Sequence, residues 1–199
     1  MTRVKLTKNA LRQEQQRLAQ LERYLPTIQL KKGLLQQEVL KARSVTEEKS
    51  AAYEALKREL EVCEHLFSRA RGVDFSLEVR VQVVQKAQES IAGIDLPVFK
   101  GVQFESSSYH LFDTPIWTDS LVSLLQKAKS ARIEVDIAKE REAILSHELR
   151  AVSIRVNLFE KIMIPRTRED IKMVRVFLSD QELMAVARAK AAQRRIQNR

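Results

Sequence analysis

The chain has 199 residues, enough for one or two ordinary domains, and carries 35 Lys and Arg against 26 Asp and Glu, a formal net charge of +9. Its four Gly and four Pro make up about 4% of the residues, against roughly 12% in average proteins. This composition argues against a multilayered α/β fold with many turns, and the 31% charged and 6% aromatic residues are typical of long helices with narrow apolar stripes.

The single cysteine, Cys63, excludes an internal disulfide framework and a multi-cysteine metal site. No apolar run approaches the roughly 18 residues of a membrane span, and the N-terminus lacks the apolar stretch of a secretory signal. We therefore expect a cytoplasmic protein that is at most peripheral to a membrane, with no direct membrane insertion.

The N-terminal segment, residues 1–71, keeps a seven-residue apolar repeat. Eight of ten a positions from Val4 to Phe67 and seven of ten d positions from Thr7 to Ala70 are apolar. A repeat sustained over nearly ten heptads predicts a coiled-coil helix.

The C-terminal segment, residues 118–199, has a frame of its own, with a positions from Leu121 to Ala191 and d positions from Leu124 to Arg194. Two helices of similar length with a short connection pair most simply as an antiparallel hairpin, for which we expect an elongated shape. Pro26 and Pro165 should each remove a helical hydrogen bond, but we expect neither to shift the heptad frame.

The connecting segment, residues 72–117, holds five of the eight Gly and Pro and six of the eleven aromatic residues. Alternation over residues 77–83 predicts one strand, and residues 98–104 and 109–112 predict a second strand pair around the polar turn 106–108. A small β cap buries too little on its own to be stable. Its aromatic residues are therefore expected to pack on the helices or on neighbouring subunits, unless the cap only closes the hairpin: Phe99, Phe104, Tyr109 and Phe112.

These patterns predict a mainly α protein: a long antiparallel two-helix coiled coil with a small insert, containing a β-hairpin, between the helices. The corresponding regions are residues 1–71, 72–117 and 118–199. The sequence contains no Gly-Lys-Ser/Thr run, no His-Glu-x-x-His and no spacing that supports a catalytic triad. We therefore expect no catalytic, cofactor-binding or metal-binding residues and no enzymatic activity of the chain itself.

The positive charge lies at the two ends of the chain. Residues 1–36 have a net charge of +6 and residues 183–199 a net charge of +5, and an antiparallel hairpin would bring them together at one tip. Clustered cations of this kind also fit a basic coiled coil that binds nucleic acid, or another stalk or scaffold protein.

One stretch of the C-terminal segment, residues 153–166, resembles a signature of the D subunit of V-type ATPases, Arg-Val-Asn-x-Leu-Glu-x-x-x-Ile-Pro. The matching residues are Arg155, Val156, Asn157, Glu160, Ile164 and Pro165. Residues 6–11, 30–32 and 90–97 are similar to further segments of that family. Phe159, where Leu is usual, together with Gly33 and Pro26, departs from the family pattern.

The resemblance implies the central rotor axle of a V-type ATPase or ATP synthase, which couples ATP hydrolysis or synthesis to H⁺ or Na⁺ translocation. It implies contacts with the catalytic A/B ring, with the F subunit of the central stalk and with the funnel-shaped subunit above the membrane ring, and none with nucleic acid. The candidate ring contacts lie at the tip: Arg3, Lys5, Lys8, Arg12, Leu183, Met184, Arg188, Lys190, Arg194 and Arg195.

Overall fold

The computed structural model describes residues 5–67, 75–105 and 115–197. The helices are α1 (Lys8–Val62), α2 (Glu64–Phe67), α3 (Phe75–Glu78), α4 (Thr118–Leu158) and α5 (Ile164–Gln197), the strands are β1 (Val81–Ile91) and β2 (Ile94–Phe104), and a π turn (Phe159–Met163) joins α4 to α5. The mainly α class with a two-stranded insert between long helices is confirmed.

The first helix begins at a side-chain cap. The backbone N–H of Ala10 donates to the hydroxyl oxygen of Thr7 at 3.2 Å, which satisfies one of the amides that lack a partner in the first turn. The helix then continues through Pro26 and Gly33 without interruption. Neither of these two departures from the family pattern ends the helix.

The chain divides into two compact units. The terminal unit combines Met1–Lys32 with Arg150–Arg199, and the central unit is Gly33–Leu149. In the terminal unit, Lys8 pairs with Glu182 at 3.3 Å and Glu22 pairs with Arg168 at 2.7 Å. As the residue number increases along α1, the number of its partner on α5 decreases, so the two helices are antiparallel.

The interior of the terminal unit follows a different frame from the expected one. Up to Val156 the buried residues occupy the expected a and d positions, but beyond the π turn the buried residues are Ile164, Thr167, Ile171 and Val174, one position later than predicted. The expectation that the frame runs through Pro165 unshifted was wrong. A π turn takes one more residue per turn than an α turn, so the seam resumes one residue later.

The central unit also pairs α1 and α4 in antiparallel fashion. Residues 38–45 of α1 lie beside Ala138 and Arg141, whereas residues 53–60 lie beside residues 125–132. Its buried side chains from the two helices are Leu35, Ala42, Thr46, Thr118, Leu121, Val122, Ala128, Val135, Ile137 and Leu145. Most of these lie at the predicted a and d positions, so the apolar repeat identifies the seam correctly here.

The strands form a single antiparallel hairpin in which Ile91 pairs with Ile94 across a two-residue turn. Ala92 and Gly93 have φ values of 53° and 77°, as the right-handed twist of a tight hairpin requires. The predicted strand over residues 77–83 was wrong in its bounds, because residues 77–78 belong to α3 and β1 begins at Val81, where it pairs with β2. The proposed partner segment 109–112 lies outside the described residues.

The hairpin is fixed to α4 by two ion pairs: Lys86 with Glu140 at 3.3 Å and Arg141 with Glu89 at 2.9 Å. Leu96 of β2 is fully buried, which an isolated two-stranded sheet cannot achieve. Ile137, one turn before Arg141, is buried although it lies off the helix seam. The hairpin therefore covers this face of α4.

Candidate interaction surfaces

The predicted tip residues all belong to the terminal unit. Arg3 lies outside the described residues, and the other cations of the set are exposed: Lys5, Lys8, Arg12, Arg188, Lys190, Arg194 and Arg195. The Lys8–Glu182 ion pair brings the start of α1 beside the distal part of α5. The described cations of the two chain ends therefore lie on helix segments that run side by side.

The distal part of α5 carries exposed apolar side chains. Leu183 is 67% exposed and Met184 is 59% exposed, and within the described part of α5 no residue after Val174 is buried. The terminal unit as a whole holds twenty Lys and Arg against seven Asp and Glu, a net charge of +13, whereas the central unit has a net charge of −4. Exposed apolar residues on a unit with an excess of cations are typical of a surface that binds another protein.

The residues of the family signature surround the π turn. Val156 and Ile164 are buried in the seam on either side of it, while Arg155, Asn157, Glu160 and Pro165 are exposed. The signature therefore combines two residues that hold the helices together with four that face outward.

The π turn allows the helix to continue through the Ile164-Pro165 sequence. The backbone N–H of Ile164 donates to the carbonyl oxygen of Phe159, five residues earlier, instead of four. In a regular α-helix the ring of Pro165 would clash with the carbonyl oxygen four residues before it, and Pro has no N–H to donate. Thr167 donates its hydroxyl to the carbonyl oxygen of Met163 at 2.8 Å. The eight-residue interval between Val156 and Ile164 was the sequence signal for this turn.

A cleft of about 520 Å³ lies beside the π turn, between the first turns of α1 and the start of α5. Leu158, Ile162 and Thr167 line one side, and Glu14 and Arg17 line the other. The Oε2 atom of Glu14 is buried and has no hydrogen-bond partner, and the nearest guanidinium nitrogen of Arg17 is 3.9 Å away. Sequence reasoning placed Glu14 only as a polar d position and did not identify the cleft.

Only two of the four aromatic residues predicted to make contacts from the cap lie in the described residues. Phe99 and Phe104 are half-buried in β2, and Tyr109 and Phe112 lie outside the described residues. Phe99 is paired across the hairpin with Lys86, whose ammonium group binds Glu140 on α4. The partner contacts of this set stay a prediction.

The described residues contain neither a metal-binding cluster nor a membrane-spanning helix. Residues 5–67, 75–105 and 115–197 contain no group of three or more His, Cys, Asp or Glu side chains placed to hold a metal ion. None of the helices in the described ranges is long and apolar enough to cross a membrane.

The fold defines the class of protein as a helical hairpin with a coiled-coil seam and a β-hairpin insert. The chain belongs to the ATP synthase D-subunit family, whose family model matches residues 10–194. This confirms the family resemblance that the signature around Asn157 and Pro165 indicated.

Curated relatives match along essentially the whole chain. The V-type ATP synthase D subunit of Chlamydia caviae is 42% identical over 199 residues, which cover 100% of this chain and 96% of that protein. The V-type ATP synthase D subunits of Chlamydia trachomatis serovar L2 and Chlamydia pneumoniae are each 41% identical over 197 residues. These residues cover 98% of this chain and 97% and 94% of the two relatives.

Proposed function

We propose that this chain is the central rotor axle of a V-type ATPase or ATP synthase. The observation that carries the proposal is the full-length match, at about 42% identity, to proteins named as the D subunit of V-type ATP synthases. In this role the chain transmits rotation between a catalytic A/B ring and a membrane ring that translocates H⁺ or Na⁺. It performs no bond-making step itself.

The distal surface of the terminal unit is the part that would enter the catalytic ring. This assignment is supported by the exposed Leu183 and Met184 together with the cations of both chain ends. When nucleotide binding changes the ring, a different face of the axle becomes the preferred contact. Coupling then comes from binding free energy that differs between rotational positions.

The central unit, in the same proposal, carries the remaining contacts of the axle. Phe99 and Phe104 lie in a hairpin that two ion pairs join to α4. We assign the partners as the F subunit of the central stalk and the funnel-shaped subunit above the membrane ring. The chain would thus lie on the cytoplasmic side, peripheral to the membrane.

A truncation tests the assignment of the tip. Removing residues 183–199 deletes five cations and the exposed apolar residues, yet retains every buried residue of α5, of which Val174 is the last in the described part. The truncated chain should keep its helicity by circular dichroism and its binding to the F subunit. The assembled complex should lose coupled ATP turnover, and the loss should grow with the number of residues removed.

Charge-only variants separate electrostatic attraction from apolar contact. Arg188, Lys190, Arg194 and Arg195 are replaced together by Gln, and the matched control replaces four exposed cations earlier in the terminal unit by Gln: Arg23, Arg150, Lys172 and Arg175. If charge carries the contact, only the first variant weakens ring association, and the effect fades with added salt. Intact assembly and coupled turnover after full truncation would contradict the proposal for the tip.

A further inference from the structure

A small pocket in the central unit combines an apolar floor with a cationic rim. It has a volume of about 160 Å³ and lies between α1, α4 and the two-residue connection from α3 to β1. The lining residues are Tyr53, Lys57 and Leu60 from α1, Val79 from the connection, and Leu125, Ala128, Lys129 and Arg132 from α4.

The spacing of these residues explains why they meet. The α1 residues are separated by four and three positions, and the α4 residues by three, one and three, so each set lies on one face of its helix. Ala128 is buried and Leu60, Leu125 and Val79 are half-buried, whereas the three cations are exposed. Their aliphatic stems cover the rim while their charges reach solvent.

The three rim cations have no acidic partner in the described ranges. Within residues 5–67, 75–105 and 115–197, neither Lys57, Lys129 nor Arg132 forms an ion pair within 4 Å, although nearby Lys49 pairs with Glu134 at 3.0 Å. No acidic residue lines the pocket. The central unit has a net charge of −4, so this local excess of positive charge is not a consequence of its composition.

One wall of the pocket is held in place by a hydrogen bond. The side-chain amide of Gln126 on α4 donates to the backbone carbonyl oxygen of Glu78 at 3.1 Å, and Glu78 is buried. This bond ties the connection that contains Val79 to α4. The pocket is therefore formed before any ligand arrives, which lowers the entropic cost of binding.

We propose that this pocket docks an acidic segment of another subunit of the complex, with one Asp or Glu carboxylate between Lys57, Lys129 and Arg132. A neighbouring aliphatic or aromatic side chain of that segment would lie on the apolar floor. The carboxylate supplies the opposite charge that the three rim cations lack, and charge complementarity of this kind selects partners and orients their docking. A volume of about 160 Å³ admits one such side chain and is smaller than the pockets that hold cofactors. The inference rests on the proposed function only in that the partner is another subunit.

Zero-length cross-linking in the purified complex tests the proposal. A water-soluble carbodiimide joins a lysine amine to a contacting carboxylate with loss of water, and the linked peptides are identified by mass spectrometry. We expect Lys57 or Lys129 to be joined to an Asp or Glu of another subunit. The double variant Lys57→Arg and Lys129→Arg keeps the charge, so it should retain the partner while losing the cross-link.

Charge reversal at the pocket is the second test of the proposal. Changing Lys57, Lys129 and Arg132 to Glu should weaken association with the cross-linked partner about tenfold or more, while Lys139→Glu on an exposed position of α4 should not change it. The proposal is overturned if the intact complex gives links only within this chain, or if the triple variant assembles as the parent does. Retention of the parent chain on anionic phospholipid vesicles, lost in the triple variant, would assign the pocket to a lipid headgroup instead. Failure of the chain to copurify with the complex would refute the proposed function rather than this pocket.

Discussion

Glu14 is a single residue that lowers the stability of the helix pair in the terminal unit. It occupies a seam position of α1 that would ordinarily hold an apolar side chain, and one of its carboxylate oxygens is buried without a hydrogen-bond partner. A buried polar atom without a partner costs free energy, and the ion pair with Arg17 at 3.9 Å is too long to compensate as a hydrogen bond would. The helices are therefore held less firmly here than at Leu21, two turns further along α1, which is buried.

Replacing Glu14 by Leu should consequently stabilise the chain. We expect the free energy of unfolding to rise by about 1–2 kcal/mol, because the variant removes the unpaired oxygen and adds apolar contact in the cleft. Glu22→Leu is the matched control on the same helix, and it should be neutral or slightly destabilising because Glu22 is exposed and pairs with Arg168. Urea titration followed by circular dichroism measures both. A loss of stability in Glu14→Leu exceeding that of the control would contradict this explanation of Glu14.

At the scale of elements, the seam was predictable from the sequence wherever the heptad is regular. Leu35 and Leu145 are fully buried at predicted d positions, because apolar residues at seven-residue intervals can leave water together only by facing each other. The prediction failed after Val156. Continuing the same frame would have placed Arg166 and Asp170 in the seam. Because burying two charged side chains costs free energy, this pair already indicated that the frame shifts near Pro165.

Deletion of one residue from the π turn tests this interpretation of the helix. Removing Lys161 restores a seven-residue interval between Val156 and Ile164, and Pro165→Ala in the same variant removes the proline ring that a regular α-helix would not admit. The turn can then become α-helical with the same faces buried. The melting temperature should stay the same or rise by a few degrees. Removing Lys139 from the regular part of α4 should instead displace Leu145 from the seam and cost roughly 2–5 kcal/mol. If the first deletion is as damaging as the second, the π turn does not carry an extra residue of the repeat.

The hairpin was predicted as an element but not in its pairing. Alternation around Val83 indicated a strand, but Ala92-Gly93 is not one of the Asn-Gly or Asp-Gly pairs that typically mark a two-residue hairpin turn. Its contacts with α4 include ion pairs between residues more than fifty positions apart, Lys86 with Glu140 and Arg141 with Glu89. No local sequence pattern encodes contacts of that range.

For the whole molecule, family membership could be predicted from the sequence, whereas the interaction surfaces depend on how the helices pair in three dimensions. The signature around Asn157 and Pro165 was enough to identify the D-subunit family, and the match over residues 10–194 agrees. Charge clustering at the chain ends predicted the basic surface of the terminal unit. The cationic pocket of Lys57, Lys129 and Arg132 was not predicted, because it forms only when α1 and α4 pair.

Single-molecule rotation can decide whether this chain turns as an axle inside a catalytic ring. The complex is fixed to glass through its catalytic subunits, and a bead is attached to an introduced cysteine, Lys100→Cys, at an exposed position of β2 in a Cys63→Ser background. We expect unidirectional rotation of the bead that requires ATP and stops when ATP is withdrawn. A bead that stays fixed relative to the ring while the same complexes hydrolyse ATP would contradict the proposed rotor function.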